Sequence, residues 1–290
     1  KTVSRELELT LTGRECGQEE RAPMCGVPFH SAESYIAKLV AKGYKVAICE
    51  QLEDPKLAKG LVKRDVIRVI TPGTVLENSM LDESRNNYLC SLCWDGDTAM
   101  GICFGDVSTG ELHGDQLSAP DRESLCHLVE DRLARYNPSE ILLNPDALDL
   151  TELRDFVQER LQASVECLDA DLYRDRAQAQ GAVLRQFGEG TLSALSSKPW
   201  TLLALGALLD YLGRTQITGL ERMNEVELEG EAAVMSLDLN ARRNLELTET
   251  LRNKERKGSL LWVLDRTKTA MGKRLIKSWL EQPLLSPARI

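Results

Sequence analysis

The chain has 290 residues, 42% of them hydrophobic and 28% charged, and because domains usually hold ~100–200 residues we expect two or three folding units. No stretch approaches the ~18–20 consecutive apolar residues of a membrane span, and no basic start precedes an apolar segment as it does in secreted proteins. The formal net charge of −9 argues against a nucleic-acid-binding surface that extends over the whole chain.

The N-terminal part predicts a helix packed on a small sheet. Lys1 is not a methionine, and residues 3–9 are typical of the middle of an element, so we expect the chain to belong to a longer one. Residues 23–30 contain two prolines and a glycine and predict a loop. Ser31 is the predicted N-cap of a helix that Gly43 ends, because glycine adopts the left-handed conformation without strain. Strands are predicted at Tyr44 to Cys49 and Arg64 to Ile70, followed by a turn at Thr71 to Thr74.

The middle of the chain predicts an antiparallel meander followed by alternating helices and strands. Asp95-Gly96 and Thr109-Gly110 supply the positive φ angles that tight hairpins need. This order is that of a ribonuclease H-like α/β domain. The predicted elements are strands at Tyr88 to Trp94, Thr98 to Phe104 and Glu111 to Gln116, a helix at Asp121 to Tyr136, a strand at Pro138 to Leu143 and a helix at Thr151 to Gln162.

The remainder predicts helices. They cover Trp200 to Leu212, Leu239 to Lys257, Ser259 to Asp265 and Thr269 to Leu280. The predicted fold class is therefore multidomain α/β plus α, with a mixed α/β unit at 1–73, a ribonuclease H-like unit with trailing helices at 74–224 and the start of an all-α unit at 225–290.

The eight cysteines are scattered through apolar and strand-like segments, which predicts reduced and mostly buried thiols rather than disulfides. Cys90 and Cys93 have the spacing of half a zinc knuckle. No second pair accompanies them, and residues three apart in a strand point to opposite faces, which disfavours chelation. We predict no metal site.

No complete catalytic constellation emerges from the sequence. The three histidines are far apart, and the one Gly-Lys pair, Gly272-Lys273, lacks the earlier glycine of a phosphate-binding P-loop. A ribonuclease H-like unit raises the alternative of a metal-dependent nuclease, for which Asp106 is the best-placed carboxylate. Asp106 beside Ser108-Thr109-Gly110 is more simply a turn residue whose carboxylate accepts from nearby backbone N–H groups.

The charge is unevenly distributed. Residues 1–73 carry 12 Lys or Arg and 10 Asp or Glu, residues 74–224 carry 12 and 25, and residues 225–290 carry 12 and 10, so the net charges are +2, −13 and +2. A phosphate-binding surface therefore belongs to the ends, and the middle suits protein partners. Arg14 and Arg68 are candidates for phosphate contact, although Arg68 shares a strand face with Val66 and Ile70 and equally fits a snorkelling edge residue. Met24 and Phe29 are predicted to pack a loop over a core.

A resemblance to a known family rests on six runs: Pro23 to His30, Gly43 to Pro55, Val69 to Thr74, Asp106 to Gly110, Asp238 to Leu247 and Thr269 to Leu280. The first three closely resemble the mismatch-binding domain of the bacterial MutS family of DNA mismatch repair proteins. The fourth resembles the family's connector domain, and the last two resemble the start of its helical core and lever. The runs follow the family's own order.

The resemblance implies binding of mismatched double-stranded DNA, homodimerisation and signalling to MutL, with ATP or ADP and Mg²⁺ bound by the full-length family, and a cytoplasmic, nucleoid-associated location. It places Arg14, Met24 and Arg68 near DNA. The family's Gly-x-Phe-Tyr-Glu wedge segment, clamp helices and P-loop ATPase have no counterpart in this sequence. We therefore expect a non-catalytic, DNA-facing and signal-relaying portion without cofactor. The alternatives are the metal-dependent nuclease and a pure interaction module in which residues 74–224 bind MutL without DNA.

Overall fold

A computed structural model describes residues 1–15, 17, 21–54, 62–82, 84–215, 220–228, 234–235 and 237–288, so Cys16 and Pro55 lie outside the described residues. The strands are β1 Thr12–Arg14, β2 Ala22–Met24, β3 Val46–Gln51, β4 Arg64–Ile70, β5 Leu89–Trp94, β6 Ala99–Asp106, β7 Glu111–Ser118, β8 Glu140–Leu143, β9 Ser164–Cys167 and β10 Glu227–Leu228. The helices are α1 Thr2–Glu6, α2 Ala32–Ala41, α3 Arg122–Tyr136, α4 Thr151–Phe156, α5 Arg176–Phe187, α6 Glu189–Ala194, α7 Pro199–Thr215, α8 Leu239–Asn244, α9 Leu260–Leu264 and α10 Ala270–Glu281.

Helix α2 begins and ends where predicted, with Ser31 at the N-cap and Gly43 after its end, but Ser31 does not cap it through the hydroxyl. Gly43 has a φ of 81°, its N–H donates to Val40 at 2.8 Å, and the next N–H donates to Leu39 at 3.0 Å, which is a Schellman C-cap. Ser31 precedes the helix, but its hydroxyl donates to the carbonyl of Pro28 at 3.1 Å. The predicted hydroxyl cap is therefore wrong, because a 3₁₀ turn over Phe29–Ser31 leads into the helix and engages that hydroxyl.

Strands β3 and β4 pair antiparallel, with Val46 opposite Ile70 and Gln51 opposite Arg64. The predicted second strand matches β4, whereas β3 begins two residues later than predicted. Val40, Ile70 and Val75 form the buried core of this small layer. We call the described residues from α1 to Val75 the N-terminal unit.

The largest element is a six-stranded sheet in the order β10-β7-β6-β5-β8-β9. Strands β5, β6 and β7 form the predicted antiparallel meander, and β8 and β9 run parallel to β5. Strand β10 adds a short parallel edge beside β7, so this sheet continues past the predicted boundary at residue 224. The positive φ angles of Gly96 and Gly110 form the two hairpin turns. We call residues 87–228, as far as they are described, the sheet unit.

Helices cover both faces of the sheet, as the near-continuous apolar strands require. Cys93 on β5 faces a core formed with α5 and α7, whereas its neighbour Cys90 faces a core formed with α3 and α4. The two thiols therefore lie on opposite faces, and burial raises the pKa of Cys93 to about 12, so it stays a thiol. Among the described residues no group of three or more His, Cys, Asp or Glu side chains could hold a metal ion.

The thiol prediction holds in part. Cys90, Cys93, Cys103 and Cys126 are free and buried, whereas Cys25 is half-buried and Cys49 and Cys167 are exposed.

Helix α7 packs directly on the sheet. A Cβ on Gly101 of β6 would lie 2.0 Å from the carbonyl carbon of Trp200, and a Cβ on Gly206 of α7 would lie 2.6 Å from the Cβ of Ala179 on α5. Both glycines thus permit a close approach that any side chain would block. No described helix is long and apolar enough to span a membrane.

The C-terminal part is helical, but the predicted helix from Leu239 to Lys257 is wrong beyond Asn244. Glu246 and Lys254 have φ angles of 48° and 53°, which break the helix into α8 and a series of turns. The two following helices agree with prediction, because the side chains of Ser259 and Thr269 accept from backbone N–H groups of Trp262 and Gly272 and cap α9 and α10.

Candidate nucleic-acid interface

Arg14 and Met24 lie on one hairpin. Strands β1 and β2 pair antiparallel, with Thr12 opposite Met24 and Arg14 opposite Ala22, and the hydroxyl of Thr12 donates to the carbonyl of Met24 at 2.9 Å. Residues opposite each other in an antiparallel pair share a face, and so do residues two apart in a strand. Arg14 and Met24 are therefore diagonal neighbours on one exposed face of the hairpin.

Gly13 and Pro23 are the central pair of the hairpin. Pro23 has no N–H to donate, which a two-stranded ribbon tolerates at an edge. A Cβ on Gly13, opposite it, would lie 3.1 Å from the Cβ of Arg21, so glycine relieves crowding there. Pro23 and Met24 thus belong to a strand, which corrects the predicted loop at those two residues, whereas residues 25–28 form no helix or strand.

Arg68 lies elsewhere, on β4 of the other two-stranded sheet. It is half-buried and forms an ion pair with Glu77, in which one guanidinium nitrogen donates to each carboxylate oxygen. Burial is the largest single influence and raises the pKa of Glu77, but the hydrogen bonds from Arg68 and from backbone N–H groups, together with the Arg68 charge, outweigh it, so the pKa lies below its ordinary value. The structure therefore separates Arg68 from the Arg14 and Met24 face. All three assignments to DNA stay predictions.

The apolar loop residues are exposed rather than packed. Phe29 is 92% exposed and Met24 is 44% exposed. The predicted packing over a core is wrong for Phe29, because the 3₁₀ turn that begins there presents the ring to solvent.

Glu140 is a functional candidate that sequence reasoning missed. It lies at the start of β8, and it is completely buried although it is charged in water. Its carboxylate accepts from the hydroxyl of Thr71, from the N–H of Gly73 at 3.0 Å and from the hydroxyl of Tyr211 at 2.7 Å. An acidic residue that begins an otherwise apolar strand was the available signal, because such a residue needs several hydrogen-bond donors.

Asp106 has the predicted turn role. Its side chain accepts from the N–H and hydroxyl of Ser108 at 2.8 and 2.6 Å, from the N–H of Thr109 at 3.3 Å and from the N–H of Asn87 at 3.0 Å. It is completely buried, and among the described residues it belongs to no group of three or more His, Cys, Asp or Glu side chains that could hold a metal ion. Nothing supports the nuclease alternative.

Family models match almost the whole chain. The model described as MutS domain I matches residues 1–79, MutS domain II matches residues 87–226, and MutS domain III matches residues 240–290. The chain belongs to the MutS family. The resemblance inferred from the six sequence runs is thus confirmed.

Individual MutS relatives agree with the family models. The chain is 48% identical over 290 residues to the DNA mismatch repair protein MutS of Lachnoclostridium phytofermentans, covering 98% of this chain and 30% of that protein. It is 46% identical over 284 residues to that of Acetivibrio thermocellus, covering 98% of this chain and 32% of that protein. The chain spans about a third of the length of the curated MutS relatives it matches. The domain limits at 73 and 224 stay predictions.

Proposed function

We propose that this chain is the DNA-facing and signal-relaying N-terminal portion of a protein that recognises mismatched double-stranded DNA. The observation that carries the proposal is the match to three MutS domain models in their order, together with relatives named DNA mismatch repair protein. The whole protein would act as a homodimer, bind ATP or ADP with Mg²⁺ and signal to MutL, in the cytoplasm and near the nucleoid.

The exposed hairpin face offers both an ionic and an apolar contact to DNA. Arg14 supplies a cation for a backbone phosphate, and Met24 supplies an apolar surface for the sugar or groove wall. The net charge of +2 on residues 1–73 favours DNA, while the net charge of −13 on residues 74–224 repels it. DNA would therefore meet the N-terminal unit and avoid the sheet unit.

The sheet unit is proposed as the connector, with a ribonuclease H-like fold. The strand order β7-β6-β5-β8-β9, with three antiparallel strands followed by two parallel ones, supports this assignment. Asp106 and Glu140 both use their carboxylates to organise backbone and hydroxyl groups, which supports a structural rather than a nucleolytic role.

The chain itself is proposed to be non-catalytic. Its sequence contains neither a P-loop nor the Gly-x-Phe-Tyr-Glu wedge. The test is fluorescence anisotropy with a G·T duplex and its matched counterpart, at ~150 mM salt where non-specific contacts weaken. We expect equal, weak affinity for both duplexes and no ATP hydrolysis. A several-fold preference for the G·T duplex would contradict the proposal that this chain does not discriminate.

A second candidate function is a protein-interaction module, which the charge of −13 on residues 74–224 favours. MutL captured equally by the wild-type chain and by an Arg14→Ala variant, with no duplex bound by either, would favour this function. Binding of duplex that Arg14→Ala weakens would favour the first.

A further inference from the structure

The N-terminal unit and the sheet unit meet at one buried carboxylate. Glu140 belongs to β8 of the sheet unit, while two of its donors, the hydroxyl of Thr71 and the N–H of Gly73, belong to the turn that follows β4. The third donor is the hydroxyl of Tyr211 on α7. The carboxylate is thus shared between the two units, one oxygen facing each.

Lys45 lies at the same end of the small sheet, because Val46 at the start of β3 is opposite Ile70 at the end of β4. It immediately precedes β3, its ammonium group lies 3.9 Å from Glu140 Oε1, and it forms an ion pair with Glu166 on β9. The ammonium group also lies 5.3 Å from the centre of the Tyr211 ring. The start of β3 and the end of β4 are therefore both attached to the sheet unit within one cluster. We call this cluster the Glu140 junction: Lys45, Thr71, Gly73, Glu140, Glu166 and Tyr211.

The donors keep their protons. Burial, reinforced by the nearby Glu140 carboxylate, raises the pKa of Tyr211 far above its ordinary value, so the hydroxyl remains a donor. Thr71 is held in position because its hydroxyl and that of Thr74 form a capping box around the 3₁₀ turn. The junction is therefore a satisfied polar network, which is the form in which a buried carboxylate is tolerated.

Steric fit adds to the hydrogen bonds. A Cβ on Gly73 would lie 2.9 Å from Leu89 Cδ1 and 3.0 Å from the Cβ of Glu140. Beside this close contact, a cleft of about 400 Å³ separates α2 from the loops of the sheet unit, among them Asn137 and Gln162. The N-terminal unit is thus fixed tightly on one side and has open space on the other.

We infer that Glu140 is a positioning residue that fixes the orientation of the N-terminal unit on the sheet unit. Loss of its carboxylate removes the acceptor that the turn after β4 shares with α7, which leaves the Lys45 ion pair with Glu166 and the hydrogen bond from Asn87 to the carbonyl of Pro72 at 2.9 Å. The cleft gives α2 room to move on these remaining contacts. The inference concerns the geometry of the chain alone and is tested without DNA, so its failure is distinguishable from failure of the proposed function.

The test measures the distance between two spin labels, one on each unit. Lys38→Cys on α2 and Leu128→Cys on α3 are exposed labelling sites, used in a background whose accessible cysteines are serine. Glu140→Gln keeps the side-chain shape but places an amide N–H₂ among donors. We expect a wider distance distribution, and faster exchange of the Gly73 amide by about tenfold or more. The exposed Glu123→Gln, on α3, is the matched control and leaves both unchanged.

A purely structural role in the sheet would give a different result. The Ile102 amide, in the β6–β7 ladder, keeps its wild-type protection if Glu140 acts between units and loses it if Glu140 only supports the sheet. Thr71→Val removes one donor from the N-terminal side and is the alternative variant if Glu140→Gln does not fold. The double variant is expected to match Glu140→Gln alone. An unchanged distance distribution in both single variants, lost Ile102 protection or additive effects would overturn the inference.

Discussion

Glu77 binds the guanidinium group of Arg68 through both carboxylate oxygens, with the Nη2 to Oε2 contact at 3.2 Å. Arg68 lies on β4, and Glu77 lies just beyond the turn that anchors the N-terminal unit to Glu140. A candidate cation for DNA is therefore already paired with a carboxylate. Any phosphate that approaches Arg68 has to compete with Glu77, so the contribution of Arg68 to DNA affinity depends on that pair.

Glu77→Gln is expected to strengthen DNA binding. An ion pair near the surface contributes ~0.5–1 kcal/mol, and a phosphate no longer has to overcome this energy once Glu77 is uncharged. Release of Arg68 therefore raises duplex affinity about two- to fivefold. One more phosphate contact also makes the plot of log affinity against log salt steeper by ~0.9. The measurement is duplex affinity by anisotropy between low and moderate salt.

Glu33→Gln separates this effect from a simple change in net charge. Glu33 is exposed in the first turn of α2 and belongs to the N-terminal unit, as Arg68 does. The same gain and the same slope in both variants would show that Arg68 makes no phosphate contact.

Local sequence signals predicted local structure well. The closure of α2 by Gly43 depends on one residue's backbone freedom, and the caps at Ser259 and Thr269 depend on hydroxyls three residues from their partners. The hairpin at Gly96 likewise needs only a positive φ. Each of these features depends on residues only a few positions apart, so the local sequence is enough to predict it.

Features that depend on distant partners were not predictable in the same way. Glu140 and Thr71 are 69 positions apart, and no sequence pattern around either residue indicates a contact with the other. The helix predicted at Leu239 to Lys257 had the required leucines, but the carbonyl of Glu246 instead accepts from the N–H of Leu260 at 3.0 Å. Tertiary hydrogen bonds thus replaced the helical ones.

Asp106→Asn is expected to destabilise the sheet unit. The carboxylate accepts from three backbone N–H groups and a hydroxyl in a completely buried position, whereas an amide N–H₂ would face some of these donors. We expect a loss of about 1–3 kcal/mol in the free energy of unfolding, measured by urea denaturation. Ser108→Ala removes only one donor and costs less. An unchanged midpoint in Asp106→Asn would contradict the turn role.

Glu281→Gln is expected to flatten the dependence of stability on pH. Burial raises the pKa of Glu281 above its usual value of 4.5, although Lys277, Arg242 and Arg135 lower it in part. Because the pKa of Glu281 is raised in the folded protein, folding favours its protonated form. The stability that this form contributes is complete below the pKa in the unfolded chain and is lost as pH rises through the pKa in the folded protein.

The measurement is the free energy of unfolding of wild type and Glu281→Gln between pH 4 and pH 8. The free energy of unfolding of Glu281→Gln increases relative to that of the wild type as pH rises above about 4.5. Glu123→Gln, at an exposed position on α3, follows the wild type at every pH. A gain that shrinks with rising pH would mean that the three cations, rather than burial, dominate the environment of Glu281.

Arg14→Ala and Met24→Ala are expected to weaken duplex binding in distinguishable ways. Arg14 would release a counterion from a phosphate, so its loss reduces the magnitude of the salt slope by ~0.9. Met24 makes no ionic contact, so its loss lowers affinity roughly fivefold, on the order of 1 kcal/mol, while the slope stays the same. The register places both side chains on one hairpin face. Both substitutions should therefore weaken contacts with the same part of the duplex.

Matched controls come from other parts of the chain. Met271 on α10 is 78% exposed, and Arg176 is exposed at the start of α5 in the acidic middle. Arg176→Ala should change neither affinity nor slope, because the net charge of −13 on the sheet unit disfavours DNA there. Met271→Ala should change neither, because the proposal assigns the apolar DNA contact to the hairpin. If Arg176→Ala lowered the slope as much as Arg14→Ala, the contact would be general electrostatic attraction, and the hairpin would lose its assignment as the DNA-facing surface.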